Sequence, residues 1–166
     1  MRLLFVCIGN TCRSPMAEYM FNHKAMELGW HAGAKSSGLI PPEKLKFTAI
    51  HPLTGKVLEE LGIASSDHKP KLTTKALITW ASHVLALDTK VRKELMEKGL
   101  WDFSKCHMLL EFTGILSPKS VPDPLGGNLE DFRACRQTLS YAIGNIFKSL
   151  YDAENPEPPD DDPRAA

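Results

Sequence analysis

The sequence predicts an α/β fold, a parallel sheet with helices on both faces reached by right-handed crossovers. Two observations predict it. Apolar, strand-like runs alternate with helical segments along the whole chain. The 166 residues also have an ordinary globular composition and enough length for one domain with its own core.

Residues 2–7 read as an apolar strand. The opening "MRLLFVCIGN" lacks a small-residue cleavage site, so it is read as that strand and not as a signal peptide. Residues 14–28 read as a helix, with Ser14 as N-cap, Pro15 at the favoured first position and Glu18 early in the helix. Met16, Met20, Phe21 and Leu28 can share its apolar face, and Gly29 ends it. A weaker strand is expected over 32–38, then an irregular, proline-containing stretch to 51. Residues 53–62 read as a helix closed by Gly62, followed by the polar loop "SSDHKPK" and a short helix over 73–82. Residues 83–88 are a buried strand, 89–99 a helix with a glycine stop, and 106–112 a further strand. After the loop "SPKSVPDPLGG", a long terminal helix carries Phe132, Cys135, Leu139, Ile143, Ile146 and Leu150 on one stripe.

The formal net charge is zero, but it is unevenly spread. Residues 152–166, "DAENPEPPDDDPRAA", hold six acidic residues and one basic one, and are expected to be a disordered tail. Residues 1–151, the expected folded domain, then carry 19 basic and 14 acidic residues, a net of +5. That suits an anionic substrate but is too weak and too scattered to argue for nucleic acid. No apolar run approaches the ~18 to 20 residues of a membrane helix, and the absence of a targeting segment favours the cytoplasm. The four cysteines form no C-x-x-C pair and no zinc-like cluster with histidine, so neither a metal site nor a disulfide scaffold is expected. Cys106 and Cys135 read as core thiols, and His23, His31, His51, His83 and His107 as surface or satisfied polar groups.

In such sheets ligands bind beyond the carboxyl ends of the strands. The first strand runs there into "CIGNTCRSP", directly before a helix start. Loop N–H groups and the helix dipole can together form an anion cradle. Gly9 and Asn10 offer unusual backbone conformations, and Arg13 offers a planar fork for two oxygens of a tetrahedral oxyanion. Cys7 sits at the floor of this positive field, which favours its thiolate. A nucleophile under an oxyanion cradle fits phosphoryl transfer to sulfur. The G-K-[ST] ending of a nucleotide loop is missing. Asp123, in the loop after the last strand, lies at the same sheet edge and can supply an acid for the leaving group.

With these pieces together, "VCIGNTCRSPMAE" and "DPLGG" resemble the low-molecular-weight protein tyrosine phosphatase family, with a compatible order of elements from about residue 3 to 150. The resemblance implies a four-stranded, flavodoxin-like parallel sheet. It implies Cys7 as nucleophile, Arg13 as phosphate ligand and Asp123 as general acid and then base. Phosphate would lie on the loop from Ile8 through Gly9, Asn10, Thr11 and Cys12, and Ser14 would hydrogen-bond the thiolate. A supporting serine and histidine are assigned to Ser37, with Ser36 as the alternative, and to His68. The implied activity is hydrolysis of phosphotyrosine-type esters on protein substrates through a phosphocysteine. No cofactor is implied, and the enzyme would be a monomer or weak dimer.

The sequence departs from the tyrosine-specific pattern at the cavity wall. Leu125 and Gly126 stand where tyrosines are common, and Phe47 is only a distant candidate for the usual aromatic of the second loop. Thr11 with D-P-x-G-G resembles the bacterial protein arginine phosphatase branch, so phosphoarginine is a nearly level alternative. Cys12 is either a small loop residue or a redox partner of Cys7. An arsenate reductase would need further cysteines near the loop. A non-catalytic phosphate-binding module would need neither Cys7 nor Asp123.

Overall fold

The computed structural model describes residues 1–155. Four parallel strands, β1 (Arg2–Val6), β2 (Gly33–Ser37), β3 (His83–Ala86) and β4 (Cys106–Met108), form one sheet in the order β2-β1-β3-β4. The chain leaves β1 for one neighbour through α1 (Arg13–Glu27). It reaches the other neighbour through α2 (Pro52–Glu59) and α3 (Lys75–Trp80). The connections therefore diverge beyond the carboxyl ends of β1 and β3, where such sheets open a crevice. Helices α4 (Thr89–Glu97), α5 (Leu109–Phe112) and α6 (Leu129–Ile146) complete the layers.

Strand alternation divides the core in two. Leu3 and Phe5 face a cluster with Met16, Phe21, Leu58, Phe132 and Leu139, from α1, α2 and α6. Leu4 and Val6 face Ile78, Val84, Val91 and Leu95, from α3, α4 and β3. Long α6 is fixed at its start by a reciprocal cap: Asn128 accepts from the Glu130 and Asp131 N–H groups, and Asp131 accepts from the Asn128 N–H. Such a cap contributes about 1 kcal/mol. Among the described residues, no helix is long and apolar enough to cross a membrane, and no group of three acidic, cysteine or histidine side chains could hold a metal.

Four expectations need correction. The strand expected over 106–112 stops at Met108, and Leu109–Phe112 turns into a helix. The run "CHMLLEF" is apolar throughout, so periodicity cannot separate the two states. Helix α1 starts one residue early, with Cys12 at its cap; Ser14 makes no capping bond, and Pro15 sits third, where its missing N–H still costs nothing. Leu28 lies beyond the apolar face and is exposed. Finally, the fold continues past 151. After π-helical turns at Phe147–Tyr151, Asp152–Glu154 is helical, and Glu154 accepts a 2.7 Å bond from the Trp30 indole. Trp30 also packs on Phe21, Phe147 and Tyr151, which docks this end of the chain. The rest of the expected tail, 156–166, lies outside the described residues.

Candidate active site

Residues 7–12 link β1 to α1 as a tight loop whose carbonyls are taken up on its outer side. Ile8 O accepts from Leu39 and Ile40 N–H, Asn10 O from His68 Nε2, Thr11 O from His51 N–H and Cys12 O from Met16 N–H. The N–H groups of Ile8, Gly9, Thr11 and Cys12 have no protein partner among the described residues. Together with the start of α1 they form an anion cradle.

Asn10 holds this shape. Its φ of 53° is left-handed, which asparagine tolerates better than most residues. The Lys71 N–H donates to Asn10 Oδ1 at 2.9 Å, which fixes the amide orientation. Nδ2 then donates to Ser14 Oγ at 2.9 Å and to Ser36 Oγ at 2.8 Å, and the Ser36 hydroxyl donates to Glu18 Oε2. Ser14 Oγ accepts from Asn10 and lies 2.9 Å from Cys7 Sγ and 3.4 Å from Ser37 O, so its proton turns to the sulfur when the sulfur is anionic. The Asn10 N–H reaches the same sulfur at 3.2 Å. Two donors thus converge on Cys7, and an anionic sulfur accepts both best.

Ser36, not Ser37, is the supporting serine. Successive strand residues point to opposite faces, and Ser37 Oγ pairs instead with Thr73 Oγ1. Ser37 contributes its carbonyl, which accepts from the Cys7 N–H. His68 lies where expected, buried and bonded to Asn10 O at 2.8 Å. Burial holds its imidazole below the ordinary histidine value, so the neutral ring donates from Nε2. Gly9 has no left-handed conformation, and a Cβ there would find ordinary contacts with Leu45 and Thr11. The glycine that the loop requires is Gly38, where a Cβ would lie 2.7 Å from Ile8 O and 2.9 Å from Asn10 N.

Arg13 is only 3% exposed. Nη1 donates to Asp88 Oδ2 at 2.6 Å and to Val121 O at 3.1 Å, and Nη2 to Asp123 Oδ2 at 2.8 Å. Burial alone would lower the guanidinium pKa, but Cys7, Asp123 and Asp88 outweigh it and hold Arg13 charged. Asp123 is aimed by its own turn. Its Oδ1 accepts from the Leu125 N–H, and Gly127 N–H closes on Pro124 O, with Gly126 left-handed at φ 87°. That conformation explains the glycine after Leu125. The Asp123 side chain stays 45% exposed.

These residues line a cavity of about 650 Å³, within the usual range for ligand sites. Cys7 and Arg13 lie at its floor. Its walls include Thr11, Leu125, Lys46, Phe47, His51 and Lys90. Phe47 is therefore a wall residue, and His51 is neither a remote surface group nor a mere satisfied one. Sequence reasoning also missed Asp88, Glu18 and Lys71. Asp88 had a signal, an acidic N-cap at the end of an apolar strand, and it does cap α4 through Val91 N–H. Glu18 stands four residues after Ser14, on the same helix face. Lys71 acts only through its backbone, which no residue type reveals.

The close approach at Gly38 is testable. Gly38→Ala must push back the cradle backbone, at a typical overpacking cost of about 1–3 kcal/mol. We expect Tm to fall by roughly 3 to 10 °C and vanadate binding to weaken at least about tenfold, by calorimetry. Unchanged binding would show that the cradle does not depend on this contact.

A family model described as low molecular weight phosphotyrosine protein phosphatase matches residues 2–155. A protein-arginine-phosphatase of Geobacillus stearothermophilus is 33% identical over 149 residues, 90% of this chain and 95% of the relative. A low molecular weight protein tyrosine phosphatase from T. tengcongensis has a solved structure with a TM-score of 0.82 and 36% identity, covering 90% of this chain and 99% of that one. An arginine phosphatase with a cysteine-to-serine change, solved with its active-site serine phosphorylated, gives a TM-score of 0.82 at 27% identity, covering 95% and 100%. The chain belongs to the low molecular weight phosphotyrosine protein phosphatase family.

Proposed function

We propose that Cys7 attacks the phosphorus of a phosphotyrosine-type ester on a protein substrate, with Asp123 as proton donor and Arg13 as phosphate ligand. The observation that carries this reading is the convergence of Ser14 Oγ and Asn10 N–H on Cys7 Sγ beneath a ring of N–H groups that have no partner among the described residues. In the first step the sulfur–phosphorus bond forms, the ester P–O bond breaks, and Asp123 gives its proton to the leaving oxygen. In the second, water attacks the phosphocysteine, Asp123 takes its proton, and inorganic phosphate leaves. Asp88 and the Val121 carbonyl hold one edge of the Arg13 fork throughout. The other edge exchanges Asp123 for a phosphate oxygen, which releases the acid. The phosphorylated serine of the relative with the cysteine-to-serine change supports the nucleophile position.

The wall supports a flat aromatic side chain, since Phe47, His51 and Leu125 all border the cavity. Phosphoarginine is a second reading, favoured by the Thr11 hydroxyl at the cavity and by the arginine phosphatase of Geobacillus stearothermophilus. Cys12 is proposed to close a disulfide on oxidised Cys7: peroxide converts the Cys7 thiolate to a sulfenic acid, and attack by Cys12 sulfur expels its oxygen as water. Burial pushes the Cys12 thiol up to about 11, so this closure is slow at neutral pH.

Cys7→Ser is expected to keep the fold and lose essentially all turnover, and Asp123→Asn to lower kcat by about 10² to 10⁴. The Asp123 loss should shrink for aryl phosphates whose leaving group needs no proton. Equal losses across leaving groups would remove the acid role.

Substrate choice is read from kcat/KM on phosphotyrosine and phosphoarginine peptides, for the parent and for Thr11→Ile. The tyrosine reading expects robust phosphotyrosine turnover that Thr11→Ile changes by less than about threefold. The arginine reading expects phosphoarginine turnover that falls at least about tenfold in Thr11→Ile, for loss of a buried hydrogen bond. A parent inert on phosphotyrosine peptides would overturn the first reading.

Mild peroxide should remove two hydrogens from the peptide holding Cys7 and Cys12, and dithiothreitol should restore them. Cys7 oxidised to the sulfinic acid beside an untouched Cys12 would exclude the bridge.

A further inference from the structure

One wall of the cavity poses a question that its helix cap does not answer. His51 precedes α2, and its Nδ1 accepts from the Leu53 N–H at 3.2 Å. An N-cap needs only a small acceptor, and serine, threonine, aspartate or asparagine serve it best. Packing does not require histidine either. The ring lies flat on Phe132 of α6, at 4.8 Å and 17°, and meets Phe47 edge-on at 4.6 Å, which a phenyl ring would do equally well. What distinguishes histidine from both alternatives is its second nitrogen. With Nδ1 accepting, the neutral tautomer carries its proton on Nε2. Burial, helped by the Lys46 ammonium, holds the imidazole below the ordinary histidine value, so the neutral form prevails at pH 7. Nε2 has no protein partner among the described residues, while the ring borders the same cavity as Cys7 and Arg13.

His51 is also tied to the cradle, since its backbone N–H donates to Thr11 O at 2.9 Å. The ring therefore keeps a fixed position relative to a bound phosphoryl group. That group has its own donors in the cradle N–H groups and Arg13, so the wall donor is left for the remainder of the substrate.

We infer that His51 is a specificity-determining residue, whose Nε2–H donates to a carbonyl acceptor on the peptide that carries the phosphorylated side chain. The assignment rests on the phosphatase reading above. It makes His51 matter more for phosphopeptides than for a small aryl phosphate such as para-nitrophenyl phosphate, which meets the ring but has no peptide to bind.

Two variants separate this role from a structural one. His51→Asn keeps an acceptor for the Leu53 N–H, and its amide is one bond too short to place a donor where Nε2 stands. His51→Phe keeps the ring on Phe132 and loses the donor and the cap. Both are measured by Tm and by steady-state kinetics on para-nitrophenyl phosphate and on whichever phosphopeptide, tyrosine or arginine, the parent turns over faster. Both variants should raise peptide KM about fivefold to tenfold, the worth of one hydrogen bond. The peptide kcat should stay within about twofold, and in both variants the peptide KM should rise at least about fivefold more than the KM for para-nitrophenyl phosphate, whose ring still meets the wall. A parent-like peptide KM in His51→Asn would overturn the inference, as would equal losses on peptide and aryl phosphate in either variant. A parent inert on both substrates would instead sink the phosphatase reading, and the inference with it.

Discussion

The left-handed backbone of Asn10 is the constraint on which the site depends. Such a conformation costs a non-glycine residue about 1–3 kcal/mol and persists only where its surroundings over-determine it. Here five partners do so. Lys71 fixes the amide, Ser36 and Ser14 take its two protons, His68 holds the carbonyl, and Cys7 sulfur takes the N–H. Each bond contributes about 0.5–1.5 kcal/mol net, so the set outweighs the strain. The direction of the chain follows from its ends. Glu18 accepts from Ser36 and the Lys71 N–H donates to Asn10 Oδ1, so the two amide protons point at Ser36 and Ser14, and Ser14 Oγ lies 2.9 Å from Cys7 Sγ. A side chain in α1 and a backbone group beyond α2 thus jointly present donors to one sulfur.

Arg13 imposes a second constraint, of opposite character. A guanidinium this buried is costly unless it is paired and hydrogen-bonded, and removal of a partner typically costs 3–5 kcal/mol. Its two carboxylates differ in how they are held. Asp88 is buried and bound at both oxygens, to Arg13 and to the start of α4. Asp123 is half exposed and sits on a glycine turn. The first is a fixed anchor; the second can let go without leaving a charge stranded away from water. Fold and chemistry meet in this asymmetry, because the loops after β1, β3 and α5 all open at one edge of the sheet.

Much of this was legible in the sequence because it is local. Cys7, Arg13 and Ser14 fall within eight consecutive residues between a strand and a helix, and Asp123 sits in a compact turn. What was misread is what depends on register or on distance. Ser36 and Ser37 are chemically identical neighbours, and only the pairing of Phe5 with Ser36 and Val6 with Ser37 decides which faces α1. Gly38 is indispensable through a contact with residues some thirty positions earlier, and no local rule flags that. Glu154 reads as part of an acidic tail until the Trp30 indole is seen to bind it. Phe47 and His51 reach the cavity because the irregular stretch after β2 folds back over the cradle, held by Leu39, Ile40 and His51 N–H groups on cradle carbonyls.

The floor of the cavity does not choose between phosphorylated side chains, since every donor there addresses the phosphoryl group. The walls must choose. A phenol ring asks for nothing but apolar contact, and Leu125, Phe47 and the His51 ring supply it. A guanidinium brings N–H groups that lose water on entry and need acceptors in its place. Apolar walls reject such a group weakly, whereas a wall that offers a matched acceptor selects for it strongly. Asp88 stays engaged by Arg13 and Asp123 is committed to proton transfer, which leaves the Thr11 hydroxyl as the acceptor within the cradle. Its recorded partner is Cys12 sulfur at 3.7 Å, a weak contact that a better donor displaces. Loss of one hydroxyl at Thr11 therefore separates a wall indifferent to the guanidinium from one that recognises it, with the fold and the nucleophile untouched.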